Sequence, residues 1–437
     1  MSLTGLAFLL AFAVGIWLTV FRHPLYGLYT YIALFYLNPP GRWWGETLPD
    51  LRWSLVAGIV TLLAAWRIPG TPGRTPWHKT GAARVLILFT LWFWIQNLWA
   101  LEPALHLEAS FLFAKYVMLS YLIYRLVPTP ADMWRFLLAH LAGCAYFGYL
   151  AFTAGSSGRL EGVGGPGIDE ANAFAMHMST GVVTGAMVAL TATGKRRWFA
   201  LGALPFILNG VVLSGSRGGF LALVSGGLVL WYLKPRSSRK LFYAFACLGV
   251  VLFGMLTRDP MFWERMQTIE AAVRPGEQEI DDSALGRLLL VDAQLKMARE
   301  YPFGTGHRGT ATLSPRYLDD RFLTGTATKR SRSSHNTFLT ALVEQGLPGA
   351  FMYCWLWGWA ALTVARLSVT DVVSHDPEKR GLLAAIGGAL VVVLIAGLFV
   401  DYIKTEVQIW LFSLLASLMA AVEPARARVG ESGKRPA

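Results

Sequence analysis

Charge is what this sequence has least of. Asp, Glu, Lys and Arg together make up only 15% of its residues, whereas soluble domains carry nearer a quarter. That scarcity excludes a water-soluble globular domain for most of the chain. Cysteine is almost missing. Cys144, Cys247 and Cys354 are the only three, and each lies inside an apolar stretch, which excludes a disulfide framework and reads as small packing residues. No clustered carboxylates or His/Cys ligands stand at metal-binding spacing, so neither a metal nor a cofactor is implied. Asp281 and Asp282 are an adjacent acidic pair, but they have a simpler use as a helix start. There is no internal repeat, no low-complexity linker, and no small-residue exit site after the first apolar stretch of the kind that marks a cleaved signal peptide.

What fills the chain is hydrocarbon. Of its 437 residues 54% are hydrophobic, gathered in a dozen or more stretches, most of them near the roughly 20 residues that a helix needs to cross a bilayer. A β-barrel would show shorter segments of alternating polarity. The expected fold is therefore all-α and polytopic, with twelve transmembrane helices or thirteen if 3–21, 24–38 and 52–66 all span. Pro24 and the "NPPGRWWGETLP" loop permit either count.

The net charge of +12 follows the positive-inside pattern and does not call for nucleic acid as a partner. Basic groups sit at Arg67/Arg74/Lys79/Arg84, Lys195/Arg196/Arg197, Lys234/Arg236/Arg239/Lys240, Arg366/Lys379/Arg380 and Arg426/Arg428/Lys434/Arg435. With these loops in the cytoplasm, the segments 84–101, 108–124, 131–153, 171–192, 198–213, 218–233, 241–257, 335–365, 382–400 and 406–422 alternate consistently. The domain plan is then a multispanning region over 1–257, an external loop over 258–334 with amphipathic helices, C-terminal membrane helices over 335–422, and a basic cytoplasmic tail over 423–437.

Four polar clusters fall on the side opposite the basic loops. In "VVLSGSRGGFLAL", Ser214 or Ser216 can cap an inward-running helix. Its free N–H groups, together with Arg217, suit an anion, above all a phosphate; the simpler alternative is an arginine snorkelling to the interface. In "RSRSSHNTFLTALVEQGLPG", His335 and Asn336 open a second such helix, with Ser333 or Ser334 as caps. Histidine suits proton transfer near neutral pH, and Lys329, Arg330 and Arg332 make its approach electropositive. In "DDSALGRLLLVDAQLKMAREYPFGTG", a helix carries Arg287, and Leu288, Leu289, Ala293 and Met297 form an apolar stripe that lays it on the membrane domain. As a surface helix it needs no ligand, with Arg287 solvated or paired to Asp282 or Asp292. In "GRLEGVGGPGIDEANAFAMH", a glycine-rich loop with Arg159 leads to Asp169 and Asn172, at no nucleotide-binding spacing. Inside the apolar segments, Lys115, Asn97 and His140 are functional candidates by their depth alone. Lys115 can meet a lipid phosphate or a backbone carbonyl.

Taken in order, "SGSRGGFLA", "GRLLLVDAQLKMAREYPFGTG" and "SHNTFLTALVEQGLPG" resemble the O-antigen ligase superfamily, which also holds Wzy-type polymerases and bacterial O-oligosaccharyltransferases. The resemblance covers about 155 to 420. The N-terminal "FRHPLYGLYTYIALFYLNP" is similar to a branch of O-glycosylation ligases, which leaves the acceptor open. The resemblance implies a metal-independent glycosyltransferase in the bacterial inner membrane, its active site facing the periplasm. The donor it implies is a glycan on undecaprenyl diphosphate, and the acceptor a hydroxyl of lipid A–core. It also implies roles: His335 as general base, Arg217 and Arg287 on the diphosphate, and Asn336 orienting acceptor or base, with Ser214, Ser216, Arg159, Asn172, Lys115 and Arg332 as binding candidates. Alternatives are a growing glycan or a protein as acceptor, or a lipid-linked glycan transporter. Transporters favour inverted repeats and midplane polar groups, whereas these clusters gather at one face.

Overall fold

The computed structural model describes the backbone of residues 2–155, 160, 162–165, 167–240, 242–243, 282–326 and 329–432. These residues are overwhelmingly helical. The N-terminal half comprises α1 (Leu3–Phe21), α2 (Leu25–Leu37), α3 (Trp53–Trp66), α4 (Gly81–Gln96), α5 (Pro103–Leu126), α6 (Pro130–Ala154), α7 (Ala171–Thr191), α8 (Gly194–Leu213) and α9 (Arg217–Leu233). Then come α10 (Asp282–Glu300), α11 (Gly309–Leu313), a short antiparallel ribbon of β1 (Thr324–Thr326) and β2 (Lys329–Ser331), α12 (Thr337–Glu344), α13 (Gly346–Ser368), α14 (Asp371–Ser374), α15 (Pro377–Ala396) and α16 (Glu406–Ser432).

The helix starts follow local chemistry. Thr80 caps α4 by accepting the Ala83 N–H at 3.3 Å. Thr129-Pro130 opens α6 and Asp376-Pro377 opens α15, each an oxygen-bearing cap followed by proline at the first helical position, where no N–H is missed. Membrane-buried backbone must satisfy its own hydrogen bonds, and helices do so.

Among the described residues, six helices are long and apolar enough to cross a membrane: α1, α5, α6, α7, α15 and the Glu406–Glu423 part of α16. Apolar but shorter are α3, α4 and α9. At 13 residues, α2 reaches only about 20 Å, short of the roughly 30 Å hydrocarbon core. Almost every residue of α7 and most of α15 and of the Glu406–Glu423 part of α16 are buried, so these helices form the centre of the bundle. At the periphery, α1 turns Leu3, Leu6, Leu10 and Val14 outward, as a lipid-facing helix should.

Two expectations change. The apolar stretch 335–365 is not one helix, because the chain breaks at Gln345 between α12 and α13. The stripe on α10 is Leu290, Ala293 and Met297 with Leu289 beside it, packed on Val343, Leu313 and Leu318. Leu288 is 68% exposed, because it falls on the helix's outer face. The expected span 241–257, apart from Phe242 and Tyr243, and the loop up to Asp281 lie outside the described residues.

The inter-helix contacts sort into two ends. At one, Arg74 donates to Ser417 at 2.9 Å, Ser238 to the Leu190 carbonyl at 3.1 Å, and Arg380 to the carbonyls of Lys234 and Ser368, both at 3.3 Å. Those are the basic loops. At the other, Leu101 bonds to Thr305, and Ser216, Asn172, Tyr402 and Thr337 form a hydrogen-bonded chain. Those are the motifs.

Candidate active site

The turn between α8 and α9 is built by its serines. The Ser214 hydroxyl donates to the Val211 carbonyl at 2.6 Å and accepts the Ser216 N–H at 3.2 Å. Ser216 is the N-cap of α9, accepting the Gly219 N–H at 3.1 Å while donating to Asn172 Oδ1 at 2.8 Å. Gly219 is required here, since a Cβ would lie 2.5 Å from that of Ala175 on α7. The serines are thus occupied in holding the turn. Arg217, the first residue of α9, is exposed beside the positive end of the helix.

Asn172 is also the bridge to the second motif. Its carbonyl accepts from the Tyr402 hydroxyl at 2.7 Å. The Tyr402 N–H donates to Thr337 Oγ1 at 2.8 Å, and that hydroxyl donates to the Val400 carbonyl at 2.7 Å. Residues 397–405, between α15 and α16, therefore form a hub on which both helix starts dock. A Cβ on Gly218 would lie 2.9 Å from that of Phe399, so the first turn of α9 packs on the same segment. Arg217 and His335 flank one loop.

The cap of α12 differs from expectation. Asn336 is the cap, its Oδ1 accepting from Phe338 at 2.9 Å and Leu339 at 3.0 Å, with its Nδ2 donating to the Leu398 carbonyl at 3.2 Å. Ser334 instead accepts from Asn336 N–H at 3.2 Å and from Gln294 Nε2 on α10 at 2.9 Å, while Ser333 is exposed. An amide that takes two N–H groups outcompetes a hydroxyl two or three residues earlier. His335 stands just outside the helix, half-buried, with Asn336 committed to structure.

The Gln294–Ser334 bond, buried at 0% and 8% exposure, ties α10 to the residue before His335. Position 287 lies two turns before Gln294 on the same helix face; its side chain lies outside the described residues. Its neighbour Gly286 packs near Arg332, whose Nη2 would be 3.8 Å from a Cβ there. Arg332 donates from its backbone to Ser314 at 2.7 Å and from its guanidinium to the Phe322 carbonyl at 3.4 Å, and its Nε is buried without a hydrogen-bond partner. Lys115 is half-buried on α5, whose Tyr116 hydroxyl donates to the Lys404 carbonyl of the hub. Arg159 lies outside the described residues.

One constellation was not foreseen from the sequence. "YPFGTG" runs along the end of α12: Thr305 N–H donates to the Val343 carbonyl at 3.1 Å, Gly306 to Glu344 at 2.9 Å, and Leu347 N–H back to Pro302 at 2.8 Å. This brings His307 against Glu344, Nδ1 to Oε2 at 3.2 Å, and against Lys404, Nε2 to Nζ at 2.8 Å. The His307 N–H donates to His106 Nδ1 at 2.9 Å. Burial and the nearby Glu344 charge push the Asp401 carboxyl up to about 6, against the pull of the Ile403 N–H, Lys404 and His307. Glu344 and His307 lie in or next to the motifs, but nothing in their spacing announces that they meet. A cavity of about 780 Å³ lined by Trp134, Lys195, Arg196, Ser238, Asp376 and Glu378 lies at the basic end, away from these groups.

The geometry offers a guanidinium at a helix start, an imidazole across one loop from it, and a buried acid–base network behind. No curated protein matches the chain. A family model described as O-antigen ligase matches residues 201–354, a stretch that runs from α8 into α13 and contains Arg217, Arg287, Arg332 and His335. Over that stretch, whose motifs the hub draws together, the chain is similar to the O-antigen ligase family.

Proposed function

We propose that the protein transfers a glycan from undecaprenyl diphosphate to a hydroxyl of lipid A–core at the periplasmic face of the bacterial inner membrane. The coarser statement, a membrane glycosyltransferase of the ligase or polymerase type, rests on the family match. One observation supports the finer one: the Ser216–Asn172–Tyr402–Thr337 hydrogen-bond chain, which sets Arg217 and His335 around a single loop.

Transfer breaks the bond between the anomeric carbon and the diphosphate oxygen and forms one to the acceptor oxygen. The departing diphosphate takes the electron pair. Arg217, the first-turn N–H groups of α9, and Arg287 would stabilise it, and such charge stabilisation is commonly the largest catalytic contribution. His335 takes the acceptor proton, a role worth roughly 10²–10⁴ in rate. Direct displacement inverts the anomeric configuration. Arg332, with a buried unpartnered Nε, is a further cation beside α10. The site residues present need no metal for this sequence of steps, since guanidinium groups carry the diphosphate charge.

The test is reconstitution of the purified protein with a lipid-linked glycan and, separately, lipid A–core, glycan-loaded carrier lipid, or peptide. Transfer to lipid A–core without a membrane potential is expected. Transfer only to carrier-linked glycan would make it a polymerase, and only to peptide a protein glycosylase. Donor that changes leaflet without being consumed would make it a transporter.

A further inference from the structure

Three helices meet at a buried cluster of metal-ligating atoms. His140 and Cys144 come from successive turns of α6, and His177 from α7. One ligand atom from each lies within 4.8 Å of the other two. Tyr36, from the end of α2, places its hydroxyl 2.6 Å from His140 Nδ1, 2.9 Å from His177 Nε2 and 3.7 Å from Cys144 Sγ. All four side chains are at most 3% exposed.

The surroundings orient these groups. The Thr180 hydroxyl donates to the His177 carbonyl at 2.6 Å, so toward His140 Nε2, 3.1 Å away, it can only accept. The proton of His140 therefore sits on Nε2, and the Nδ1 lone pair faces the cluster. Metal-bound histidines are held in this way, the far nitrogen donating to an outer partner. A tetrahedral ion with bonds of about 2.0–2.1 Å to nitrogen and 2.3 Å to sulfur separates its ligands by roughly 3.3–3.6 Å. The Tyr36 oxygen lies 2.6–3.7 Å from the other three ligand atoms, and those three lie within 4.8 Å of one another, so side-chain shifts of about 1–1.5 Å would convert one arrangement into the other. Hydrogen bonding alone leaves the Cys144 thiol with only contacts of 3.7 Å and beyond, although it is fully buried among these groups.

We propose that His140, Cys144 and His177, with the Tyr36 oxygen as a fourth neighbour, bind a thiophilic d¹⁰ cation, Zn²⁺ or Cu⁺. Soft thiolate with imidazole selects these ions over Mg²⁺ or Ca²⁺. The Cys144 thiol loses its proton to solvent as the ion binds, and with Zn²⁺ the Tyr36 phenol loses a second one. One thiolate neutralises Cu⁺, and thiolate with phenolate neutralises Zn²⁺, so either site carries no net charge into the membrane interior. His177 stands five residues, about 7.5 Å along the helix, from Asn172, so the ion would tie α2, α6 and α7 together beneath the Asn172–Ser216 contact. Its role is structural and separate from the metal-free transfer chemistry.

The full chain, purified without a histidine tag from cells grown in zinc- or copper-supplemented medium, tests this by elemental analysis after washing with chelator. Stoichiometric zinc or copper is expected, the medium deciding which source fills the site. X-ray absorption on the unmodified protein should show one sulfur and two nitrogen neighbours. Cys144→Ser and His177→Gln should lose the metal, while Cys354→Ser, which removes an exposed thiol, should keep it. Trace metal only, a shell lacking sulfur, or equal metal in wild type and Cys144→Ser would each overturn the site and leave a Tyr36-centred hydrogen-bond network. The absorption measurement needs no variant, so a misfolded substitution cannot obscure the answer.

Discussion

At the scale of single residues, Arg217 stands just inside one helix start and His335 just outside another, and the two differ in chemistry. Arg217→Ala should weaken donor binding and slow transfer, because a charge-assisted contact to phosphate is lost. Arg217→Lys should restore only part, keeping charge without the planar fork. His335→Ala should bind donor normally yet lose roughly 100- to 10,000-fold in single-turnover transfer; wild-type transfer by this variant would remove His335 from the chemistry. Asp401 carries a separate expectation. Its carboxyl holds a proton up to about 6 in the folded protein against 3.8 ordinarily. The native state thus binds more protons than the unfolded chain within that window, and stability falls as pH rises through it. Thermal unfolding across the window should show that fall in wild type and a flatter profile in Asp401→Asn. Parallel profiles would mean that burial beside Glu344 does not raise the Asp401 carboxyl.

Among elements, the docking of α10 and its "YPFGTG" exit onto α12 decides whether the α10 motif reaches His335 at all. The contact is secured at two points, Gln294–Ser334 and the Thr305/Gly306 bonds to Val343 and Glu344. Gly346 makes the second possible. It has φ +67°, and a Cβ there would lie 2.3 Å from the Phe303 carbonyl carbon. Gly346→Ala should therefore cost at least about 1–3 kcal/mol in backbone strain, with further loss from the displaced 302–306 segment. A lowered melting temperature together with new protease cleavage near Phe303 is expected; an unchanged melting temperature would show that the segment docks without this glycine. The cap of α12 teaches the same lesson about local competition. Several polar residues precede the helix, and Asn336 wins because its amide also reaches the Leu398 carbonyl from another part of the chain.

For the whole molecule, the two ends differ in what they carry. One gathers Arg74, Lys195, Arg236 and Arg380, and the other gathers every motif that the hub touches. With the basic end in the cytoplasm, cysteines introduced singly at exposed positions in a Cys354→Ala background should label by side. Arg321→Cys should react with a membrane-impermeant maleimide in intact spheroplasts, whereas Ser237→Cys should react only after permeabilisation. The reverse pattern would put the motifs in the cytoplasm and exclude a periplasmic transferase. The hub explains why charge can concentrate at one end without disturbing the apolar core. Loop 397–405 receives Asn172, Asn336 and Thr337 through backbone carbonyls and two hydroxyls, and those groups cost less to bury than unpaired charges.

Much of this architecture was legible in the chain itself. Apolar stretches near bilayer length, set off by basic loops, determine an all-helical membrane protein, because hydrocarbon admits few ways to satisfy a backbone. A serine cap, Ser214 or Ser216, with Arg217 at the head of α9 follows from local composition, since a cap depends on neighbours within one turn; the structure chose Ser216. What only the tertiary structure decided depends on residues far apart in sequence. Residues 397–405 became the hub, Glu344 met His307 and Lys404, Asn336 displaced the serines as cap, and the stripe of α10 shifted from Leu288 to Leu290. The joining of Tyr36 to His140, Cys144 and His177 was equally invisible, because a histidine and a cysteine spaced one turn apart look like packing until two other helices bring a second imidazole and a phenol to the same point. Periodicity specifies which face of a helix is apolar; which other helix covers that face is settled only by close packing in three dimensions.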